Sequence, residues 1–242
     1  MMRLATICAR AGSKRLPGKN TRILHGWPLW LWTLEQVIVS ECFDFIVISS
    51  DDEAVGERWC LQSNVDGNFK VIRIKRPEEL AGDDAGKVPA IRHALLRAEE
   101  LTGHTFDTIV DLDVTAPLRT LDDIRGFCAR LDGMENGNLV SVTEARRNPA
   151  FNMIEPCKYG GYSLVKRTHQ VLRSQDAPEC YELNASMYGW HRKALLDGGD
   201  NVINWNTDIY EMPRDRSWDI DTAHDLDIVE FLMSKQRESV AA

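Results

Sequence analysis

Leu4-Ala-Thr-Ile-Cys8 is a short apolar run, and Ala9-Arg-Ala-Gly-Ser-Lys-Arg-Leu-Pro-Gly-Lys-Asn20 follows it without a break. Arg10, Lys14, Arg15, Lys19 and Arg22 put five cations on one short stretch that also holds Gly12 and Gly18. A loop that is both glycine-rich and cationic lets backbone N–H groups and charged side chains converge on a polyanion. A helix-like run begins near Trp27, so the loop is a strand-to-helix turn, and in an α/β sheet the first such turn faces the ligand crevice. Phosphate binding is the reading this position favours over a solvated basic turn. Two familiar fingerprints do not fit. Five residues separate Gly12 from Gly18, and Asn20 follows Lys19, so the Walker spacing and its hydroxyl are missing. No G-x-G-x-x-G is present either.

Outward from the loop, strands and helices alternate through about residue 145. Apolar, Ile- and Val-rich segments at 4–8, 45–49, 71–74, 108–112 and 139–143 read as strands buried on both faces. Helix-like stretches at 29–40, 53–62, 88–101 and 121–131 lie between them. This order predicts an α/β fold with a doubly wound, mostly parallel sheet and its site at the carboxyl ends of the strands. The pattern then breaks. Residues 151–165 read as short strands around Gly160-Gly161, 175–182 as a loop, 186–190 as a strand and 222–234 as a terminal helix.

The chain of 242 residues reads as a single domain, 1–242, with an extension at about 150–180. Its net charge of −8 argues against nucleic acid as a partner, so the cations of the first loop are concentrated for a small ligand. No apolar run reaches membrane-spanning length, and no signal-peptide pattern opens the sequence. The six cysteines, Cys60 among them, are scattered without C-x-x-C, which predicts reduced thiols and a cytoplasmic protein. Six histidines show no paired ligand spacing; His169 alone falls near the region of the later loop. Trp27, Trp30 and Trp32 read as packing.

Two acidic pairs stand out. In an extended Asp219-Ile-Asp221 both carboxylates point the same way and can face one metal, although Asp221 also suits the start of the terminal helix. Asp111-Leu-Asp113 closes the fourth strand in the same pattern.

Residues 9–20 closely resemble the N-terminal signature of the cytidylyltransferases that activate acidic 2-keto-3-deoxy sugars, the N-acylneuraminate (CMP-sialic acid) synthetase family. Further pieces agree in order: Ile48-Ser-Ser-Asp-Asp-Glu53, Lys75-Arg-Pro-Glu-Glu-Leu80, Thr115-Ala-Pro-Leu-Arg119, Asn148-Pro149, Tyr181-Glu-Leu-Asn184 and Trp218-Asp-Ile-Asp-Thr222. The resemblance implies a Rossmann-like nucleotidyltransferase with a small strand-rich dimerisation extension. It implies CMP transfer from CTP to the anomeric hydroxyl of a nonulosonic acid, with pyrophosphate released. Arg10, Ser13, Lys14, Lys19, Asn20 and Arg76 would hold the nucleotide, and Asp219 and Asp221 would hold Mg²⁺. Lys19 and the two aspartates would carry the chemistry. Asp113, Arg173, Asn184 and Tyr188 would shape the sugar site, with Arg146 and Arg147 as further contacts; Arg173 reads equally as a surface ion-pair residue. A homodimer is implied, the 150–180 extension reaching the other subunit's sugar.

The chain departs from the family pattern twice. Asp113 stands where a glutamine is usual, replacing a group that donates and accepts by one that only accepts. Ala185 stands where a glycine is usual. Asp113 bears on which sugar is taken or contributes to the metal site, and Ala185 bears on which sugar is taken. Alternatives are a nucleotidyltransferase for another nucleotide or a sugar phosphate, and a non-catalytic nucleotide-binding module; a P-loop kinase fits least.

Overall fold

The computed structural model describes residues 1–56, 70–82, 84–167 and 171–241. Most of the helix expected over 53–62, together with Cys60 and His169, lies outside them. In chain order the elements are β1 (Arg3–Cys8), β2 (Ile23–Leu24), β3 (Trp27–Pro28), α1 (Leu29–Ser40), β4 (Phe45–Ser50) and β5 (Lys70–Lys75). There follow α2 (Lys87–Thr102), β6 (Thr108–Leu112), α3 (Leu121–Asp132), β7 (Asn138–Glu144), β8 (Ile154–Pro156) and β9 (Tyr162–Leu164). β10 (Tyr181–His191), α4 (Arg192–Asp197), β11 (Thr207–Glu211) and α5 (Ala223–Ala241) complete the chain.

Seven strands form one sheet in the order β11-β7-β10-β6-β1-β4-β5. β1 pairs in parallel with both β4 and β6, β4 with β5, and β7 with β11. β10 is the exception, antiparallel to β6 on one side and to β7 on the other. The sheet is therefore the mostly parallel α/β sheet that the alternation predicts.

Burial follows the period of two along each strand. In β4, Phe45 and Val47 face α2 and α4, while Ile46 and Ile48 face α1, α3 and α5. Each fully buried Leu or Ile in these two layers contributes about 1.5–3 kcal/mol relative to exposure. Helix ends are set by local chemistry. α2 stops at Gly103, whose φ of 69° is the left-handed C-terminal turn a glycine adopts freely. α3 starts at a capping box in which Thr120 and Asp123 exchange bonds. Among the described residues no helix is long and apolar enough to cross a membrane.

Beyond residue 145 the expected hairpin is present: β8 and β9 pair around Gly160-Gly161. Strand 186–190 extends to an eleven-residue β10 whose register shifts between Leu183 and Tyr188. Ala185 sits in that shift with φ of 53°. β11, an edge strand with no fully buried residue, had no counterpart in the sequence reading.

Candidate active site

A cleft of about 290 Å³ opens at the carboxyl ends of β1, β5 and β6. The first loop forms one wall. Asn20 donates from Nδ2 to the Arg10 carbonyl at 2.8 Å, which closes the loop on itself, and Gly18 turns with φ of 64°. Ala11 N–H donates to Asp51 at 2.8 Å and Arg10 to the Gly82 carbonyl at 3.0 Å. These bonds tie the loop to the ends of neighbouring strands, so its backbone is held before any ligand arrives. Arg10, Lys19 and Asn20 line the cleft, whereas Ser13 and Lys14 line an adjoining hollow of about 330 Å³ on the outer side of the loop. Arg76 reaches the cleft from the end of β5, buried and held by the Ser49 carbonyl at 3.0 Å.

Asp219 and Asp221 form the opposite wall, two hundred residues away in sequence. Ile220 between them is fully buried and its N–H donates to the Thr115 carbonyl at 2.9 Å, so the flanking carboxylates turn to the cleft. Lys19 Nζ lies 3.2 Å from Asp221 and 2.8 Å from the Ile220 carbonyl; Arg15 lies 2.6 Å from Asp221. Asp219 carries a buried oxygen, Oδ1, with no hydrogen-bond partner among the described residues. Burial pushes its pKa up to about 6, Asp113 and Asp221 push the same way, and Thr115 and Lys19 oppose. An orphaned buried carboxylate oxygen beside a second carboxylate fits a hard divalent cation, which Mg²⁺ sites complete with phosphate and water oxygens. Among the described residues no group of three or more His, Cys, Asp or Glu converges as a full cage. The donor set fits a cation that arrives with its phosphates.

The floor is built from the end of β6. Asp111 is fully buried and accepts from the Thr6 hydroxyl at 2.8 Å and from Lys87 Nζ at 3.1 Å. Asp113 accepts from Lys87 at 2.5 Å and from the Thr115 hydroxyl at 2.9 Å. Burial alone would raise the Asp113 pKa, but Lys87 and Thr115 outweigh it and hold it at about 2. Arg119, fully buried, donates to the Asp113 carbonyl, the Thr33 hydroxyl, the Ser186 carbonyl and Gln36, at 2.6–3.0 Å. It clamps β6, β10 and α1 together beneath Asp113.

Of the sugar-side residues expected from the sequence, Asp113 lines this cleft, whereas Arg173, Asn184 and Tyr188 do not. Asn184 is buried in β10, accepting from Ser141 at 2.6 Å and donating to Ser217 at 3.0 Å. Tyr188 is buried on the same strand, with Lys87 Nζ 4.5 Å from its ring centre, and supports the floor from below. Arg173 is exposed and pairs with Asp176 at 2.7 Å on a turn of the extension. Arg146 lines a separate hollow of about 440 Å³ with Gln175 and Tyr181.

Residues 4–83 match the model of a family described as cytidylyltransferase. Over 96% of this chain and 95% of the relative, 37% of residues are identical to post-translational flagellin modification protein B of Campylobacter coli. A CMP-N,N'-diacetyllegionaminic acid synthase of Campylobacter jejuni is also 37% identical, over 96% of this chain and 94% of its own. The chain belongs to the cytidylyltransferase family. A solved CMP:2-keto-3-deoxy-manno-octonic acid synthetase, complexed with CTP, superposes over 98% of this cytidylyltransferase and 100% of its own chain. Its TM-score of 0.67 at 15% identity shows a shared fold. The resemblance read from the first loop and its companion segments is borne out.

Two residues of this cytidylyltransferase site escaped the sequence reading. Lys87 fell just before the helix expected over 88–101 and was given no role; only the fold shows that this helix starts at the cleft. Arg119 lay inside a quoted motif without a role. The signal for both was available in Asp113: a carboxylate at the end of a fully buried strand requires cations nearby.

Proposed function

We propose that the chain transfers CMP from CTP to the anomeric hydroxyl of a nonulosonic acid and releases pyrophosphate. One observation carries this reading: Lys19 of the phosphate-type loop meets Asp221 of the Asp219-Ile-Asp221 pair at 3.2 Å, across 202 residues of sequence. Cations for a triphosphate and carboxylates for its metal thus share one cleft, in a chain 37% identical to a CMP-N,N'-diacetyllegionaminic acid synthase.

In this reading Arg10, Lys19, Asn20 and Arg76 hold the nucleotide inside the cleft, while Ser13 and Lys14 present the outer side of the same loop to its phosphates. The sugar hydroxyl oxygen forms a bond to the α-phosphorus as the bond to the pyrophosphate oxygen breaks. The hydroxyl proton leaves to water. Negative charge gathers on the departing pyrophosphate, where Lys19 and Arg10 stabilise it; preorganised cations in a partly desolvated cleft are the main source of acceleration. Asp219 and Asp221 would hold Mg²⁺, whose chemistry is to bridge and neutralise phosphate oxygens. Asp113 receives the acceptor sugar on the floor.

Arg173, Asn184 and Tyr188 complete the acceptor side, Asn184 and Tyr188 by shaping β10 and Arg173 from the extension. Ile154, Tyr159, Tyr162 and Leu172 are all exposed on that extension. Burial of this apolar face against a second copy gives a homodimer and brings Arg173 to the partner's acceptor site. Dependence on CTP places the enzyme in the cytoplasm.

The test is pyrophosphate release with CTP and a panel of legionaminic, pseudaminic, neuraminic and octulosonic acids. Turnover with at least one nonulosonic acid is expected, and Lys19→Ala should lower kcat by about a thousandfold. Near-normal turnover by Lys19→Ala, or no turnover with any acid, refutes the reading.

A further inference from the structure

We infer that Lys87 and Asp113 together form a hydroxyl-recognition pair that decides which acceptor the cleft accepts; this rests on the function proposed above. Both side chains line the cleft, Lys87 with 26% and Asp113 with 18% of its side chain exposed. Each is fixed from behind. Asp113 Oδ1 takes two bonds from Thr115 and Oδ2 takes one from Lys87, so three of roughly four acceptor positions are filled. Lys87 gives one proton to Asp111 and one to Asp113, and its ammonium rests over the Tyr188 ring. One of its three N–H donors is left.

The pair therefore offers one donor beside one acceptor at the cleft surface. A hydroxyl matches this arrangement, because its oxygen accepts from the ammonium while its proton goes to the carboxylate. An anionic group does not match. Lys87 and the buried Arg119 beneath Asp113 balance Asp111 and Asp113, so the cluster has no positive charge to spare, and Asp219 and Asp221 stand on the adjoining wall. A carboxylate or phosphate placed there meets net repulsion. The same balance separates Lys87 from Arg10, Lys19 and Arg76: its charge is already spent on two carboxylates. Lys87 thus serves the neutral, polyhydroxylated part of the acceptor and not the triphosphate.

The experiment compares the full-length wild type with Lys87→Met and with the double variant Asp111→Asn/Lys87→Met. The double variant loses one charge of each sign, which keeps the local charge unchanged and protects folding. Kinetics are measured with CTP, the nonulosonic acid that the wild type turns over, and monodeoxy analogues of that acid lacking one hydroxyl each. In the wild type one analogue should lose about ten- to a hundredfold in kcat/KM, as for a hydrogen bond whose partners are left unpaired. In both variants KM for the parent acid should rise by about tenfold or more, while that analogue loses less than about threefold and KM for CTP moves less than about threefold. Undiminished discrimination against the analogue in the folded variants, or a rise in KM for CTP in place of the acid, overturns the inference. Absence of turnover by the wild type refutes the proposed function itself, and this inference falls with it; normal wild-type turnover with unchanged discrimination in the variants refutes the inference alone.

Discussion

Consider Asp219→Asn in the protein without nucleotide or divalent cation. The wild-type carboxyl is largely buried beside Asp113 and Asp221, with Oδ1 unpartnered, and its pKa stands at about 6 against an ordinary 3.8. A group whose folded pKa is raised loses its contribution to stability as pH climbs through the folded value. Complete ionisation across that displacement costs about 3 kcal/mol. An amide of the same shape sheds the charge but introduces N–H groups that need acceptors, which returns about 1–2 kcal/mol. The variant should therefore be more stable than the wild type by about 1–2 kcal/mol at pH of about 8, or roughly 2–8 °C in Tm. At pH of about 4 the folded carboxyl is already protonated and the ionisation cost is nearly gone, so only the amide penalty remains and the variant should be about 1 kcal/mol less stable than the wild type. Thermal melts of both proteins at the two pH values give the difference of differences, in which other titrating groups cancel. Equal gaps at both pH values, or a variant that melts below the wild type near pH 8, would show that the Asp219 carboxylate is not held at a cost. The same variant should release pyrophosphate at least about a hundredfold more slowly, so stability and turnover move in opposite directions.

Three other substitutions test the scaffold. Arg119→Met leaves the Asp113 and Ser186 carbonyls and Thr33 without their buried donor; a loss of about 3–5 kcal/mol in denaturant unfolding is expected. Gly189→Ala would put a Cβ 2.8 Å from the Phe127 ring and 2.9 Å from Leu131, so overpacking should cost about 1–3 kcal/mol in the same assay. Ala185→Gly relieves a left-handed alanine, a strain of about 1–2 kcal/mol that the greater freedom of glycine in the unfolded chain partly offsets. The denaturation midpoint should stay or rise slightly; a clear fall would mean that the left-handed turn at Ala185 is not strained.

The parallel half of the sheet was legible because its strands are short and rich in Ile and Val, which composition reports directly. β11 was not: Thr207-Asp-Ile-Tyr-Glu211 has no fully buried residue and covers an edge, so its composition resembles a loop. The antiparallel setting of β10 was equally hidden, since the direction of a strand leaves no mark on its sequence. At the site, residues with local grammar were found, the cationic loop and Asp219-Ile-Asp221 among them. Lys87 has no such grammar. Its meaning comes from Asp111, Asp113 and Tyr188, supplied by the end of β6 and by β10. Arg173 and Asn184 are the reverse case, residues singled out by resemblance that the single chain keeps outside the cleft.

The place of β10 also sets the order in which the molecule can be built. β7 (Asn138–Glu144) pairs on one side with β10 and on the other with β11, and both are made after it. A chain emerging from the ribosome can assemble β1, β4, β5 and β6 from its own preceding residues, yet β7 has no partner until residue 181 has been made. Until then β6 presents an open edge to the cell, the kind of edge that recruits foreign strands. The last quarter of the chain, with Asp219 and Asp221, thus both closes the sheet and completes the site. A polypeptide released early would be aggregation-prone and inactive for the same reason.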